Sequence, residues 1–507
     1  MYKLRIKLLL ALMLLFSSGN IFAQEAGPPP GGVTGDVSGL PFDLLPPGAR
    51  ALGLGGAFTA VADDATAALA NPGGLTNLTA PEVSVFLRYT DADVNFLDPD
   101  AYNSALNAYS GDLHKKYSDS STKVSFASFV YPLERWVFSG FYSNQLAFNG
   151  VQSAPDVVFD DIDRGPDAYP YFDKYTNLNG VKAEVENFGL SGAFRFTDEF
   201  SAGVTLRRAK FKLDSEDTWQ IDWWNDWEQL MAEEFYGASP TVEQVASFLP
   251  VVNDSYTYGT SAHDSDSKIV VDFGLYYKGD KWSLGATYHA GAKYEISTVG
   301  SLASQFSCNG EGDLTNECQS WVDLVDELEL TDEFYPNVSE AFVNTIRLPS
   351  IISFGVAFRP AETWLISFDL NIVEYSVLNP PRNNTLGFDL DIDNESARSE
   401  FYDPDIRELE GPITKPIENG VNYHLGLEKS FVFDHDFLRT LALRGGVFTI
   451  KDHNGIVAIS NSDTVWTVGI GSTWGKNELG AKVFQVDLGA SFADDTTNVV
   501  LSGIMRF

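Results

Sequence analysis

Residues 281–297 read KWSLGATYHAGAKYEIS, and their spacing decides the fold class. Trp282, Leu284, Ala286, Tyr288, Ala290, Ala292, Tyr294 and Ile296 fall on one face of an extended chain, whereas Ser283, Gly285, Thr287, His289, Gly291, Lys293 and Glu295 fall on the other. Side chains alternate across a β-strand, so this segment offers one apolar face and one small or polar face. A strand in a soluble sandwich has a mode of about 5–6 residues. A longer alternating run, apolar toward lipid and polar toward a lumen, is the pattern of a transmembrane β-barrel.

Working outward, the same period recurs and predicts strands over 83–96, 122–131, 135–148, 183–196, 200–213, 267–278, 281–298, 349–359, 363–376, 418–432, 439–451, 463–475, 480–492 and 496–507. That makes about fourteen, an even number, as single-chain bacterial barrels have. The connections alternate in length. Pro132-Leu133-Glu134, Thr197-Asp198-Glu199, Lys278-Gly279-Asp280, Pro360-Ala361-Glu362 and Gly475-Lys476-Asn477-Glu478 are tight turns. Segments 97–121, 149–182, 214–266, 299–348 and 377–417 between them are long. Short turns on one side and long loops on the other mark the periplasmic and external ends of an all-β, antiparallel outer-membrane barrel. The last residues, Val499, Leu501, Gly503, Met505 and Phe507, share one face. A terminal aromatic strand of this kind closes on the first strand and suits handling by a barrel assembly machinery.

The chain has 507 residues and divides into three parts. Residues 1–23 carry Lys3, Arg5 and Lys7, an apolar run from Leu8 to Phe16 and a small-residue exit, as a secretory signal peptide cleaved after Ala23 does. Residues 24–81 are a leader and a compact glycine-rich segment, and 82–507 are the barrel. No stretch approaches the ~20 apolar residues of a membrane helix. Aromatic residues make up 13% of the chain, which suits lipid-facing strands. The net charge of −36 excludes nucleic acid as a partner, because that needs basic patches. Acidic segments such as Asp160, Asp161, Asp163 and Asp167 form a repulsive solvated surface or bridge cations to lipopolysaccharide.

Candidate chemistry is sparse. Cys308 and Cys318, close together in an exported chain, are expected to form one loop disulfide, and no His lies near them to complete a metal site. The six His include no HExxH pair, and there is no G-x-S-x-G elbow, so no catalytic residues, cofactor or metal are expected. His289 and His424 face the lumen by alternation but lie on different strands without a nucleophile beside them. Asp389 to Glu400 imitates a calcium loop but has Asn394 where glycine is required. Helical spacing appears in two long loops, at Asp222–Tyr236 with Trp223, Trp224 and Trp227, and at Ser320–Leu330 with Trp321, Leu324, Val325 and Leu328. These apolar faces either roof the barrel or form a groove for greasy molecules. A carboxylate cargo would need a buried cation. Alternation places Arg195, Arg207 and Lys293 in the lumen, each also able to pair with Asp272, Asp369 or Glu428.

The segment before the barrel contains Gly48-Ala49-Arg50-Ala51-Leu52-Gly53-Leu54-Gly55-Gly56-Ala57-Phe58, then Asp63-Asp64-Ala65, then Asn71-Pro72-Gly73. It resembles the N-terminal hatch of the long-chain fatty acid transporter family (FadL and TodX-like). The resemblance implies a fourteen-stranded barrel plugged by residues 24–81, acting as a monomer in the outer membrane. It implies passive uptake of fatty acids or hydrocarbons, with lateral exit into the bilayer through a gap at strand three; Gly140 and Asn149-Gly150 are the candidates for that gap. Trp223, Trp227, Trp321 and Leu324 would collect the cargo, Arg207 and Lys293 would hold a head group, and Gly53, Gly55, Gly56, Asn71 and Pro72 would let the hatch move. The chain departs from the family at Gly73, where the family has alanine, and in its proline-rich leader. Residues 42–51 also resemble PorV-like barrels, which handle secreted protein cargo, and that is the alternative function.

Overall fold

The computed structural model describes residues 47–97, 102–103, 108–109, 114–161, 171–222, 235–236, 252–308, 312–327, 337–378, 417–434, 438–451, 463–475, 482–493 and 496–507. Residues 1–46, which hold the expected signal peptide and the proline-rich leader, lie outside them, as do Trp223, Trp224, Trp227 and segment 389–400. The strands are β1 Glu82–Leu97, β2 His114–Leu133, β3 Trp136–Asp161, β4 Tyr171–Arg195, β5 Phe200–Asp222 and β6 Val252–Lys278. Two interrupted strands follow. β7 has a lower half Trp282–His289 and an upper half Ala292–Cys308, and β8 has an upper half Asn337–Leu348 and a lower half Ile351–Ala361. The circuit continues through β9 Trp364–Val373, β10 Gly420–Val432, β11 Leu438–Ile450, β12 Asp463–Trp474, β13 Val483–Phe492 and β14 Thr496–Arg506. All neighbours are antiparallel, and β14 pairs with β1 from Glu82–Arg506 to Ala92–Thr496, so fourteen strands close a barrel.

The outward positions explain closure in lipid. Trp364, Ile366 and Phe368 on β9, and Tyr423, Leu425 and Leu427 on β10, are exposed, whereas the residues between them are buried. Aromatic pairs gather beside the short turns: Trp136 and Phe194 lie 4.7 Å apart, and Trp282 and Phe358 4.2 Å. Large aromatic rings at that level suit the membrane–water boundary.

Several strands run far beyond their predicted ends. β6 has 27 residues, about three times the ~9–11 that cross a bilayer. Parts of the segments expected as loops, 214–222, 252–266, 299–308 and 337–348, are therefore strand. Where the outer face is described there, it carries polar side chains such as His263, Ser265 and Ser297 in place of apolar ones, so the alternation that betrays a lipid-crossing strand is missing. The expected loop helix appears as α3, Asp313–Glu327, after the hatch helices α1 (Ala49–Gly53) and α2 (Ala67–Ala70). It carries Trp321 and Leu324, whose side chains lie outside the described ones. The expected disulfide joins Cys308 to Cys318.

The segment that decided the fold class contains the main correction. Alternation holds from Trp282 to Tyr288, then reverses across Ala290–Gly291. Tyr294 and Ile296 are fully buried on the inner side, and Lys293 and Glu295 are exposed on the opposite face. β8 reverses at the same height, across Pro349–Ser350: Asn344 and Ile346 are buried above it, Ile351 and Ser353 below. Gly291 is required there, because a Cβ would stand 2.4 Å from the Leu348 carbonyl oxygen.

Residues 47–81 lie along the inner wall. Gly203, Gly274, Gly285, Gly355, Gly426, Gly446, Gly469 and Gly489, from β5 to β8 and β10 to β13, face this hatch. A Cβ on Gly285 would approach the Thr59 carbonyl oxygen to 2.2 Å, and one on Gly489 would approach that of Ala49 to 2.3 Å. Backbone therefore rests on backbone around much of the circumference. Gly55 and Gly56 take φ of 64° and 74°, which glycine adopts freely, and so turn the hatch along β10 and β11.

Candidate functional site

Hatch anchoring starts from side chains that replace missing ladder partners. Asn71 Nδ2 donates to the carbonyls of Thr59 and Leu275, both at 2.9 Å, and its Oδ1 accepts from Gly73 N. Asp369 Oδ2 accepts from Phe58 N and Thr59 N. Arg50 binds Asp63 and Glu428. Glu428 also binds Arg444 at 2.6 Å, and Arg444 binds Asp487 at 2.7 Å. His424 Nδ1 meets the Gly55 carbonyl at 2.8 Å and its Nε2 meets Asn371 Nδ2 at 2.9 Å. With Nδ1 donating and Nε2 accepting, the ring is neutral and holds the hatch.

Asp64 is buried in the hatch, where its Oδ1 accepts from Thr66 N and Thr66 Oγ1. Burial, and then the neighbouring Glu82, push its carboxyl up to about 6.

Toward the long-loop end, β4 to β8 line the interior with an apolar cluster. It comprises Ala183, Val185, Ala209, Phe211, Leu213, Ala262, Val270, Tyr294, Ile296 and Ile346. Phe211 and Tyr294 have ring centroids 5.4 Å apart. At its foot runs a chain of polar side chains from successive strands. Asn187 Nδ2 donates to Gln145 Oε1 of β3, and Arg207 Nη1 donates to Asn187 Oδ1. Arg207 Nε and Nη2 both reach Asp272, and Nη2 also reaches the Ala290 carbonyl.

The wall beside this interior is interrupted twice. β2 pairs with β3 only from Leu133–Trp136 to Phe126–Ser143. Beyond that point, β2 stays on β1 and β3 stays on β4. Gln145 is left out of the β3–β4 register where they part. Phe86, Phe126 and Phe141 pack ring to ring inside the foot of this cleft, with centroid distances of 5.3 and 5.9 Å. Phe141 fills a recess at Gly189, where a Cβ would lie 2.2 Å from the ring. Ser125 Oγ contacts the Pro47 carbonyl, so the first described hatch residues border the cleft. Gly140 lies within the paired portion and Asn149–Gly150 on the unpaired edge. The second interruption separates β6 from β7. Ser261 pairs with Val299 above and Phe273 with Tyr288 below, and among the described residues no main-chain pair joins 262–272 to 289–298.

The predicted site residues therefore divide. Arg207 is inward and buried, as alternation indicated, and four of its donor contacts are already taken. Lys293, expected in the lumen, is on the opposite face beside Glu295 at 3.8 Å, because of the reversal at Ala290–Gly291. The two cations do not converge. Gly53, Gly55, Gly56, Asn71 and Pro72 all lie in the seated hatch. Sequence reasoning missed Tyr294 and Phe211 as lining and Asn187, Asp264 and Asp266 as wall-bridging residues. Pro349 opposite Gly291 was the available signal for the reversal.

Comparison with known proteins agrees with this architecture. The crystal structure of a Pseudomonas aeruginosa FadL homologue matches with a TM-score of 0.52 at 12% identity, over 94% of this chain and 99% of that one. The Ralstonia pickettii toluene transporter TbuX matches with 0.43 at 14% identity, over 91% and 98%. The Pseudomonas putida toluene transporter TodX matches with 0.43 at 12%, over 92% and 98%. Comparison with curated proteins by sequence gives no match. A family model described as outer membrane protein transport protein (OMPP1/FadL/TodX) matches residues 48–500, so the chain belongs to this family of bacterial outer-membrane transport proteins.

Proposed function

We propose that this protein carries uncharged hydrophobic molecules passively across the outer membrane, receiving them between the external loops and releasing them sideways. The observation that supports this reading is the combination of a hatch segment held against the inner wall and a divided wall. The hatch is seated on the wall by backbone contacts, whereas β2 and β3 part above Phe126 and Ser143. A water-filled pore gives no help to an apolar solute. Leaving apolar surroundings for water costs about 25 cal/mol per Å², so a molecule with roughly 300 Å² of apolar surface would lose about 7 kcal/mol. A path lined by Phe211, Val270 and Ile346 and ending at Phe126 and Phe141 keeps that surface covered.

The charge pattern favours a hydrocarbon over a carboxylate. Arg50, Arg207 and Arg444 each already hold a carboxylate. A carboxylate cargo would have to displace one of those partners. The tight packing of Gly53–Gly56 and Asn71–Pro72 favours a hatch that stays seated, with adjustment at Pro47–Gly48 beside the cleft. Trp223, Trp227, Trp321 and Leu324 are proposed to gather the cargo at the external mouth. No catalytic role is proposed for His289 or His424.

The test is equilibrium binding of radiolabelled hexadecane and palmitate to the purified barrel in detergent, beside a Trp223/Trp227/Trp321→Ala variant. Saturable hexadecane binding, weakened in the variant, is expected. A folded, heat-modifiable protein that binds neither ligand would overturn the reading and direct attention to a secreted protein partner.

A further inference from the structure

We propose that the break between β6 and β7 is a second lateral gate, closed by carboxylate side chains where a barrel wall ordinarily has a main-chain ladder. The proposal rests on the transport reading above. Three amides at the break, none of them paired in register with β6, are taken by β6 aspartates: Ala290 N, between the two halves of β7, by Asp272 at 3.0 Å, and in the upper half Glu295 N by Asp266 at 2.9 Å and Ser297 N by Asp264 at 2.8 Å. A ladder opens only by losing many mutually supporting bonds, but a side-chain latch is released by a rotamer change about χ1.

The neighbourhood suits a passage for apolar molecules. The reversal at Ala290–Gly291 turns Tyr294 and Ile296 inward, so the unpaired edge of β7 is also a wall of the apolar cluster. Tyr294 is fully buried and its Oη has no hydrogen-bond partner. An uncharged cargo that carries one acceptor atom would satisfy it, while a pure hydrocarbon would meet it by packing alone. On the outer side, Ile269 and Phe273 are 64% and 52% exposed, which sets the lower part of the break at the level of lipid. Its upper part carries Lys293, Glu295 and His263. The gate thus joins the interior to the outer margin of the membrane. Arg207, bound to Asp272 and to the Ala290 carbonyl, forms its sill. The same Arg207 reaches Gln145 at the β2–β3 cleft through Asn187, so one polar chain connects both openings.

The experiment tethers the two strands in the full-length protein, reconstituted in lipid vesicles. Asp264→Cys is combined with Ser297→Cys and treated with a short bifunctional thiol reagent, which spares the Cys308–Cys318 disulfide. Control samples receive a monofunctional reagent of similar bulk. The readout is the initial rate at which radiolabelled hexadecane reaches the vesicle lipid, and palmitate is run in parallel. Tethering is expected to lower the hexadecane rate at least fivefold below that of the monofunctional control, which has lost the Asp264 latch but keeps the two strands free. Equal rates in tethered and control samples would overturn the gate, as would failure of the two thiols to cross-link. Asp264→Ala/Asp266→Ala, which removes latches without a tether, is expected to raise the rate; an unchanged rate in that folded variant also overturns it. A parent protein that moves neither probe would defeat the transport reading itself, and the gate with it.

Discussion

Asn71→Ala should loosen the hatch without opening the barrel. The side chain is fully buried and makes three hydrogen bonds, two donated to the Thr59 and Leu275 carbonyls and one accepted from Gly73 N. At about 1 kcal/mol net for each, the loss is about 3 kcal/mol, and the buried Gly73 amide is left without its acceptor. Because ~1.4 kcal/mol is a factor of ten, local release of this segment should become about a hundredfold more frequent. Amide hydrogen exchange in the intact, detergent-solubilised protein reads that release directly. Gly73, Gly74 and Leu78 should exchange about a hundredfold faster, and amides of the β9–β10 ladder should not change. Asn71→Asp should be at least as damaging, since it keeps the acceptor but turns a second oxygen toward two carbonyls. A change below threefold at Gly73 and Gly74 would refute the view that this side chain pins the hatch to β6.

Arg444→Ala should cost about 3–5 kcal/mol, because it leaves Glu428 and Asp487 short of a buried counter-charge. The loss should appear as a lower temperature for the heat-modifiability shift, and Arg444→Lys should not restore it, since a single ammonium cannot reproduce the fork. Asp64 gives a pH signature. Its folded carboxyl titrates at about 6, above its ordinary value of 3.8, so the folded state binds more protons than the unfolded state between those values. Hatch stability should therefore rise as pH falls from about 6 toward 4, and hydrogen exchange of Thr66 should slow over that range. Asp64→Asn should flatten the profile; an unaltered slope would refute the assignment. Gly189→Ala would place a methyl 2.2 Å from the Phe141 ring and drive it from its recess into the β2–β3 cleft. Hexadecane delivery to lipid should fall severalfold, with the barrel still heat-modifiable.

Where a face of the chain meets lipid, its sequence was readable. Trp364, Ile366 and Phe368 could be assigned to strand and to orientation because bilayer and interior make opposite demands on alternate residues. That signal fails in two circumstances. Above the membrane, water lies outside, so 252–266 carries no apolar alternation and looked like loop although it is strand. At Ala290–Gly291 two small residues pass unnoticed in a period-two pattern, and the reversal shows only in which neighbours bury Tyr294. The candidate site followed the same division. Arg207 was placed inside correctly, being below the reversal on an uninterrupted strand. Lys293, two residues past Gly291, was placed on the wrong face. The bridging roles of Asp264 and Asp266 could not be read from local sequence, since they depend on the absence of a ladder between two strands.

The glycines beneath the hatch bear on what a plug is. Gly203, Gly274, Gly285, Gly355, Gly426, Gly446, Gly469 and Gly489 leave eight strands of the barrel without a side chain where the hatch passes. Glycine in a strand weakens it for want of packing. Deleting residues 47–81 would therefore not convert the protein into a porin. It would leave a softened girdle and uncover Asp369, Glu428 and Arg444, whose partners or shelter the hatch provides. The hatch serves as the inner half of the wall, built from one continuous length of chain in place of the side chains that eight staves have given up.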